Sequence, residues 1–225
     1  MAFLQSQPPR QPFLNAPPVV LWLIAVFVAI HVATVAAPGV VTDELLYRFA
    51  FVPVRYSHGA SPFELTVPLV SHMFLHGSWL HLTVNSLWFL AFGPIMARRY
   101  GATLFLVFFF VCGIAGALTY LALNWGSPEA VIGASGGISG LMAAGIRLLR
   151  WPNVHPQHDL TPILSRPVLM FTAFWLVANF GLAVIGVGTG GDVQQVAWQA
   201  HLGGFACGLF LIDAVERLRE RSLLA

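Results

Sequence analysis

Six runs of apolar residues mark the chain, at about 18–37, 79–97, 102–123, 131–149, 168–187 and 198–215. Each approaches the ~20 helical residues needed to cross ~30 Å of hydrocarbon. The pattern predicts an all-α, polytopic membrane protein, a bundle of six transmembrane helices formed by one domain over residues 18–225. Residues 1–17, rich in proline and glutamine, read as a short disordered cytoplasmic tail. The segment between the first two runs, about 38–78, is too long for a simple connection. It holds Leu45, Leu46, Phe49, Phe51 and Phe63, so it is expected to fold and to sit partly in the membrane interface. The connection near 151–166, with three prolines and two histidines, reads as a surface loop, and no repeat of fixed period is visible.

Composition sharpens the membrane reading. Of 225 residues, 57% are hydrophobic and 9% charged, with a mean hydropathy of +0.77; a soluble domain carries roughly 25% charged residues. The first run is longer than a signal-peptide core and lacks a basic start immediately before it, which favours a retained helix over a cleaved leader. Cys112 and Cys207 fall inside apolar runs, where packing is the simpler role. All basic side chains are arginines, and a cytoplasmic N-terminus puts Arg10, Arg98, Arg99, Arg147, Arg150, Arg166, Arg217, Arg219 and Arg221 inside, leaving Arg48 and Arg55 outside. By the positive-inside rule both termini are then cytoplasmic. The net charge of +2 reflects this orientation, and nucleic acid need not be invoked.

Against this apolar background a few polar groups stand out. His81 and Asn85, four residues apart, share one face of the second helix. Ser135 lies in the frame Gly133-Ala134-Ser135-Gly136 at the start of the fourth, and His201 near the start of the sixth. Alternating direction brings these three helices in from the outer side. Spacing then puts His81, Ser135 and His201 within roughly 10 Å of one membrane face, each a few residues inside its helix. Glycine pairs four apart, Gly133 with Gly137, Gly136 with Gly140 and Gly204 with Gly208, allow close helix contact. Ser135 and His201 are therefore expected to form a nucleophile and base pair. The Asn85 amide, the His81 ring N–H and the Ser135 backbone N–H are the available donors to a developing oxyanion. No Asp or Glu lies mid-span, and Asp213 is about three turns below His201, so the histidine must be oriented by packing or another hydrogen bond.

Other readings exist for these residues. A Gly-x-Ser-Gly frame by itself also suits helix packing, and Ser139, in a second such frame, fits packing or hydrogen bonding better than nucleophilic attack. His31 reads as a satisfied or pore-facing polar residue. His72 and His76 could join His81 in a metal site, but no HExxH or carboxylate partner accompanies them, and structural hydrogen bonding of the loop is the simpler account. A bis-histidine haem protein would use His81 and His201 yet leave Asn85 and the glycine-serine frame unexplained. A transporter would place its polar groups nearer the midplane. The reading calls for no cofactor and no metal.

The run His72-Met73-Phe74-Leu75-His76-Gly77-Ser78-Trp79-Leu80-His81 with Asn85, then Gly133-Ala134-Ser135-Gly136, then Ala200-His201-Leu202-Gly203-Gly204 with Gly208, resembles the rhomboid family of intramembrane serine proteases. The resemblance implies Ser135 as nucleophile and His201 as base, with His81, Asn85 and the Ser135 N–H as the oxyanion site. Gly133, Gly136, Gly204 and Gly208 would pack the helices around it. It also implies an outward-facing water-filled cavity, lateral substrate entry near the fifth helix and its following loop, and single-span membrane proteins as substrates. A bacterial cytoplasmic (inner) membrane is the expected location. Two departures stand out. Many members carry Trp-Arg where this chain has Val67-Pro68, and many place an aromatic residue four positions after the nucleophile, where this chain has Ser139. The alternative of another class is a rhomboid-like binder that recognises transmembrane helices without cutting them; members that have lost catalysis generally lack the serine or the histidine, and this chain keeps both.

Overall fold

A computed structural model describes residues 15–151, 159–185 and 197–224. Most of the 1–17 tail, the loop residues His155 and His158, and the segment after the fifth apolar run lie outside the described residues. The elements in chain order are α1 (Pro18–Ala36), α2 (Gly39–Phe49), α3 (Val54–Ser57), α4 (Pro62–Thr66), α5 (Pro68–Ser71), a 3-10 turn (His72–Phe74), α6 (Trp79–Leu123), α7 (Ser135–Leu148), α8 (Arg166–Ile185) and α9 (Trp198–Leu224). No strand occurs among the described residues, as an all-α fold requires.

The second and third apolar runs form one 45-residue helix, α6, interrupted at Gly101, whose φ of +78° is a left-handed conformation that favours glycine. The break divides α6 into arms 79–100 and 102–123. Counted with its two arms apart, α6 joins α1, α7, α8 and α9 in falling on the six apolar runs. Helices α1 and α6 are long and apolar enough to cross a bilayer. Large apolar side chains such as Trp22, Leu87, Phe174, Val177 and Phe210 point outward and exposed, an unusual arrangement unless lipid covers them.

Helix α7 departs from expectation. The apolar run begins near 131, but the helix begins at Ser135 and has only 14 residues. Two features delay it. Val131 is held extended by an antiparallel bridge to Phe51 of the first loop, with N–H···O distances of 2.8 and 3.1 Å. Gly133 then takes φ +117°, which no helix admits. Gly133 therefore belongs to the turn before α7 and is not part of the helix-packing face where the glycine spacing put it.

Every residue from Gly136 to Arg147 is buried, so α7 is the axis of the bundle, packed chiefly against α6 and α9. Small residues make that approach possible. A Cβ placed on Gly204 would overlap the Gly136 carbonyl oxygen, and one on Gly208 would overlap that of Gly140. At the opposite end from Ser135, Arg147 forms a two-pronged ion pair with Asp213 of α9, with Nη2 to Oδ1 at 2.9 Å, and also donates to the Leu209 and Thr161 carbonyls at 2.8 and 3.1 Å. Helix α9 runs on to Leu224, past the apolar run, because Glu216 is held by Arg99 (3.0 and 2.7 Å), Tyr100 and Arg219 (2.7 Å).

The first loop folds, as its apolar content predicts. Ser61 and Glu64 form a reciprocal capping box at the start of α4, and the Tyr56 hydroxyl donates to the Leu65 carbonyl at 2.5 Å.

Candidate active site

Three helices present polar side chains from their first turns. His81 is the third residue of α6, Ser135 the first of α7 and His201 the fourth of α9. Ser135 sits even closer to its helix start than the apolar pattern indicated, because Gly133 and the Phe51–Val131 bridge postpone the helix. The N–H groups of a first helical turn have no acceptor within the helix, and the helix dipole there is positive, so the Ser135 backbone N–H can serve an oxygen anion.

Ser135 Oγ lies 2.7 Å from His201 Nε2, within hydrogen-bond distance. The close α7–α9 contact at Gly204 permits it, and the Arg147–Asp213 pair shares its sequence separation, so the two helices stay in one register from end to end. His201 Nδ1 lies 2.7 Å from Oδ1 of Asn179, a buried residue of α8 whose Nδ2 donates to the Trp198 carbonyl at 3.3 Å. Just below, Trp175 of α8 stacks on Phe205 of α9 with ring centroids 4.2 Å apart.

His81 faces the same spot from α6. A point one Cβ bond from Gly133 lies 2.7 Å from His81 Nε2 and 3.7 Å from Ser135 Oγ. A side chain there would displace the imidazole, a second reason for glycine at 133. Asn85 is buried, and one of its amide hydrogens is directed to the His81 carbonyl at 3.0 Å, leaving the other N–H for a further acceptor. The first loop reinforces the turn before Ser135, since Gly133 N–H donates to the His72 carbonyl at 2.9 Å.

Of the remaining histidines, His72 makes its own contact in the first loop, whereas His76 and His31 neighbour His81. His72 bonds the Pro68 carbonyl through Nδ1 at 2.8 Å, and burial pushes its pKa down to about 4. His76 packs against the rings of Phe27 and His81, and His31 sits edge-on to Trp79. No three His, Cys, Asp or Glu side chains converge as a metal site among the described residues. Ser139 is buried one turn below Ser135.

Asn179 escaped the sequence reading. The signal that singled out His81, Asn85 and His201, an amide or imidazole inside an apolar run, was equally present at Asn179.

The Rhomboid domain family model matches residues 64–217, a span that includes His81, Asn85, Ser135, Asn179 and His201. RHOMBOID-like protein 5 of Arabidopsis thaliana is 23% identical over 91% of this chain and 72% of its own. Rhomboid-like protease 3 of Toxoplasma gondii is 29% identical over 70% of this chain and 54% of its own length. Rhomboid protease GlpG of Yersinia pseudotuberculosis is 29% identical over 63% of this chain and 45% of its own. The chain thus spans about half the length of the latter two relatives. With the family model covering most of its length and apolar helices long enough to cross a bilayer, this chain is an integral membrane protein belonging to the rhomboid family.

Proposed function

We propose that this protein is a serine endopeptidase that cleaves transmembrane segments of single-span membrane proteins within the lipid bilayer, through a Ser135/His201 dyad and an acyl-enzyme intermediate. The observation that carries the reading is the 2.7 Å contact between Ser135 Oγ and His201 Nε2, formed between the first turns of two helices. A serine hydroxyl becomes nucleophilic when a neighbouring base takes its proton, and a neutral imidazole suits that role.

In the first half-reaction Nε2 of His201 takes the Ser135 proton as Oγ adds to the scissile carbonyl carbon. The carbonyl oxygen becomes an anion that accepts from the Ser135 backbone N–H, His81 Nε2–H and the free N–H of Asn85. Collapse of this intermediate breaks the C–N bond, and the His201 imidazolium passes its proton to the departing amine. In the second half, His201 takes a proton from water as the water adds to the ester carbonyl. The acid product leaves and Ser135 regains its proton. Donors fixed in advance, in a medium with little water, contribute several kcal/mol to such an oxyanion.

The arginine distribution supports both termini in the cytoplasm. Arg147, Arg150, Arg217, Arg219 and Arg221 all lie at the far ends of the helices whose starts carry Ser135 and His201. The site would then open toward the outer face of a bacterial cytoplasmic membrane. Relatives whose printed names are rhomboid proteases support proteolysis as the activity.

The test is cleavage of a model single-span membrane protein in proteoliposomes by the wild type and by Ser135→Ala. The proposal expects two fragments with the wild type and none with the variant. Cleavage by the variant would overturn it. Tight binding of the substrate without cleavage by either would point instead to a rhomboid-like binder.

A further inference from the structure

We propose that Asn179 is the positioning residue of the base: its side-chain oxygen fixes the His201 ring and tautomer, turning a dyad into a serine–histidine–asparagine chain supplied by α7, α9 and α8. This rests on the reading of Ser135 and His201 as nucleophile and base.

The argument begins with the amide. Asn179 Nδ2 is directed at the Trp198 carbonyl at 3.3 Å, and a carbonyl oxygen only accepts, so the NH2 end of the amide lies on that side. The other end, Oδ1, therefore faces His201 Nδ1 at 2.7 Å. Oδ1 also only accepts, which requires the proton on Nδ1. In the neutral ring Nε2 then carries the lone pair, and Nε2 is the atom 2.7 Å from Ser135 Oγ. The opposite tautomer would put a proton between Nε2 and the hydroxyl and leave His201 unable to accept from Ser135. Asn179 thus selects the form competent as a base.

Burial adds weight to this selection. Asn179 is only 6% exposed, and Val168, Trp175 and Asn179 form the buried stripe of α8 among its described side chains. Asn179 is the polar member of that stripe, and with Trp175 on Phe205 and Phe180 on Trp198 it seats the later half of α8 against α9. Base orientation consequently depends on α8 being seated. Among the described residues, the groups facing His201 are Ser135 from α7, neutral Asn179 from α8, and from α6 His81, a titratable neighbour that interacts with it. Asp213 of α9 lies three turns below and is paired with Arg147.

The experiment measures the rate at which a fluorophosphonate modifies Ser135, together with kcat and KM for a model transmembrane substrate, across pH, in the wild-type chain, Asn179→Ala and Asn179→Asp. Asn179→Ala is expected to lower both the labelling rate and kcat roughly 10- to 100-fold, part of the 10²–10⁴-fold that a positioned base contributes. KM should change little, because Asn179 does not touch the substrate. Asn179→Asp keeps the acceptor and adds charge. It should restore much of the rate and move the acidic limb of the profile to higher pH, since a carboxylate beside the ring favours the imidazolium; a merely structural role would not move that limb. Rates for Asn179→Ala within twofold of wild type, or an Asn179→Asp profile that coincides with wild type, would overturn the proposal. The Asp profile decides by itself if the Ala variant does not fold. Failure of the reagent to label Ser135 in the wild type would instead overturn the protease reading beneath it.

Discussion

Substituting alanine at two glycines on facing helices separates the effect of helix approach from that of glycine as such. A Cβ added to Gly204 would overlap the Gly136 carbonyl oxygen, lying 2.7 Å from its carbon and 3.2 Å from the Cys112 oxygen. Carbon atoms prefer about 3.5–4.0 Å. All of these neighbours are backbone, which has no rotamer with which to move aside, so α7 and α9 must part by about 1 Å. Gly204 is three residues after His201 and Gly136 directly follows Ser135, so the opening falls at the site. The 2.7 Å Ser135–His201 contact would then exceed the ~3.2 Å limit of a sound hydrogen bond. A misplacement of this size costs on the order of 10²-fold in rate, with about 1–3 kcal/mol of overpacking strain. Gly136→Ala is the control. Its added Cβ would meet the Ala200 oxygen at 3.5 Å and Gly113 Cα at 3.8 Å, ordinary contacts, so activity should stay within a few-fold of wild type. The assay is cleavage of a model substrate in proteoliposomes, with thermal unfolding to show that both variants fold. Equal rates for folded Gly204→Ala and Gly136→Ala would refute the claim that backbone proximity at this crossing sets the site.

Other substitutions probe separate parts of the account. Asn85→Ala should lower kcat by about 10²-fold while raising KM little, as expected for a donor needed mainly in the transition state; an unchanged kcat would remove Asn85 from the oxyanion site. Asp213→Asn leaves the buried Arg147 guanidinium without its carboxylate, and because Asp213 is half-exposed and Arg147 keeps two carbonyl acceptors, unfolding should become easier by about 1 kcal/mol; an unaltered melting temperature would show that the pair does not hold α7 to α9. His72 in the first loop has its pKa lowered by burial from 6.5 to about 4. The unfolded chain therefore binds more protons between those values, and stability falls as pH drops through them, by about 3 kcal/mol for this group. His72→Gln should flatten the dependence of melting temperature on pH over that range, and an identical slope in the variant would contradict the buried neutral state.

Much of this site can be read along the chain because hydrocarbon makes polar residues conspicuous. His81, Asn85, Ser135 and His201 interrupt apolar runs, and helix periodicity with alternating direction suffices to collect them at one depth. The Gly204 contact is legible for a related reason, since glycines four residues apart, as at Gly204 and Gly208, mark a helix face that another backbone can approach. What remained hidden depends on partners distant in sequence. The start of α7 at Ser135 is set by a bridge from Val131 to Phe51, eighty residues earlier, and by a backbone angle at Gly133. Asp213 lies about three turns from His201 along α9, and its pairing with Arg147 emerges only once α7 and α9 are known to lie side by side. The orienting partner of His201 comes from α8, where Asn179 interrupts its apolar run as visibly as the others do, but its pairing with His201 follows only from how α8 lies against α9.

The central claim is that Ser135 is a nucleophile activated by His201, and covalent trapping tests it most directly. The full chain in proteoliposomes is treated with a fluorophosphonate, digested, and the modified residue mapped by mass spectrometry, with His201→Ala in parallel. The account predicts one adduct, on Ser135, formed far more slowly in the variant. An adduct on Ser139 or elsewhere, or labelling of Ser135 at the same rate without the imidazole, would contradict it.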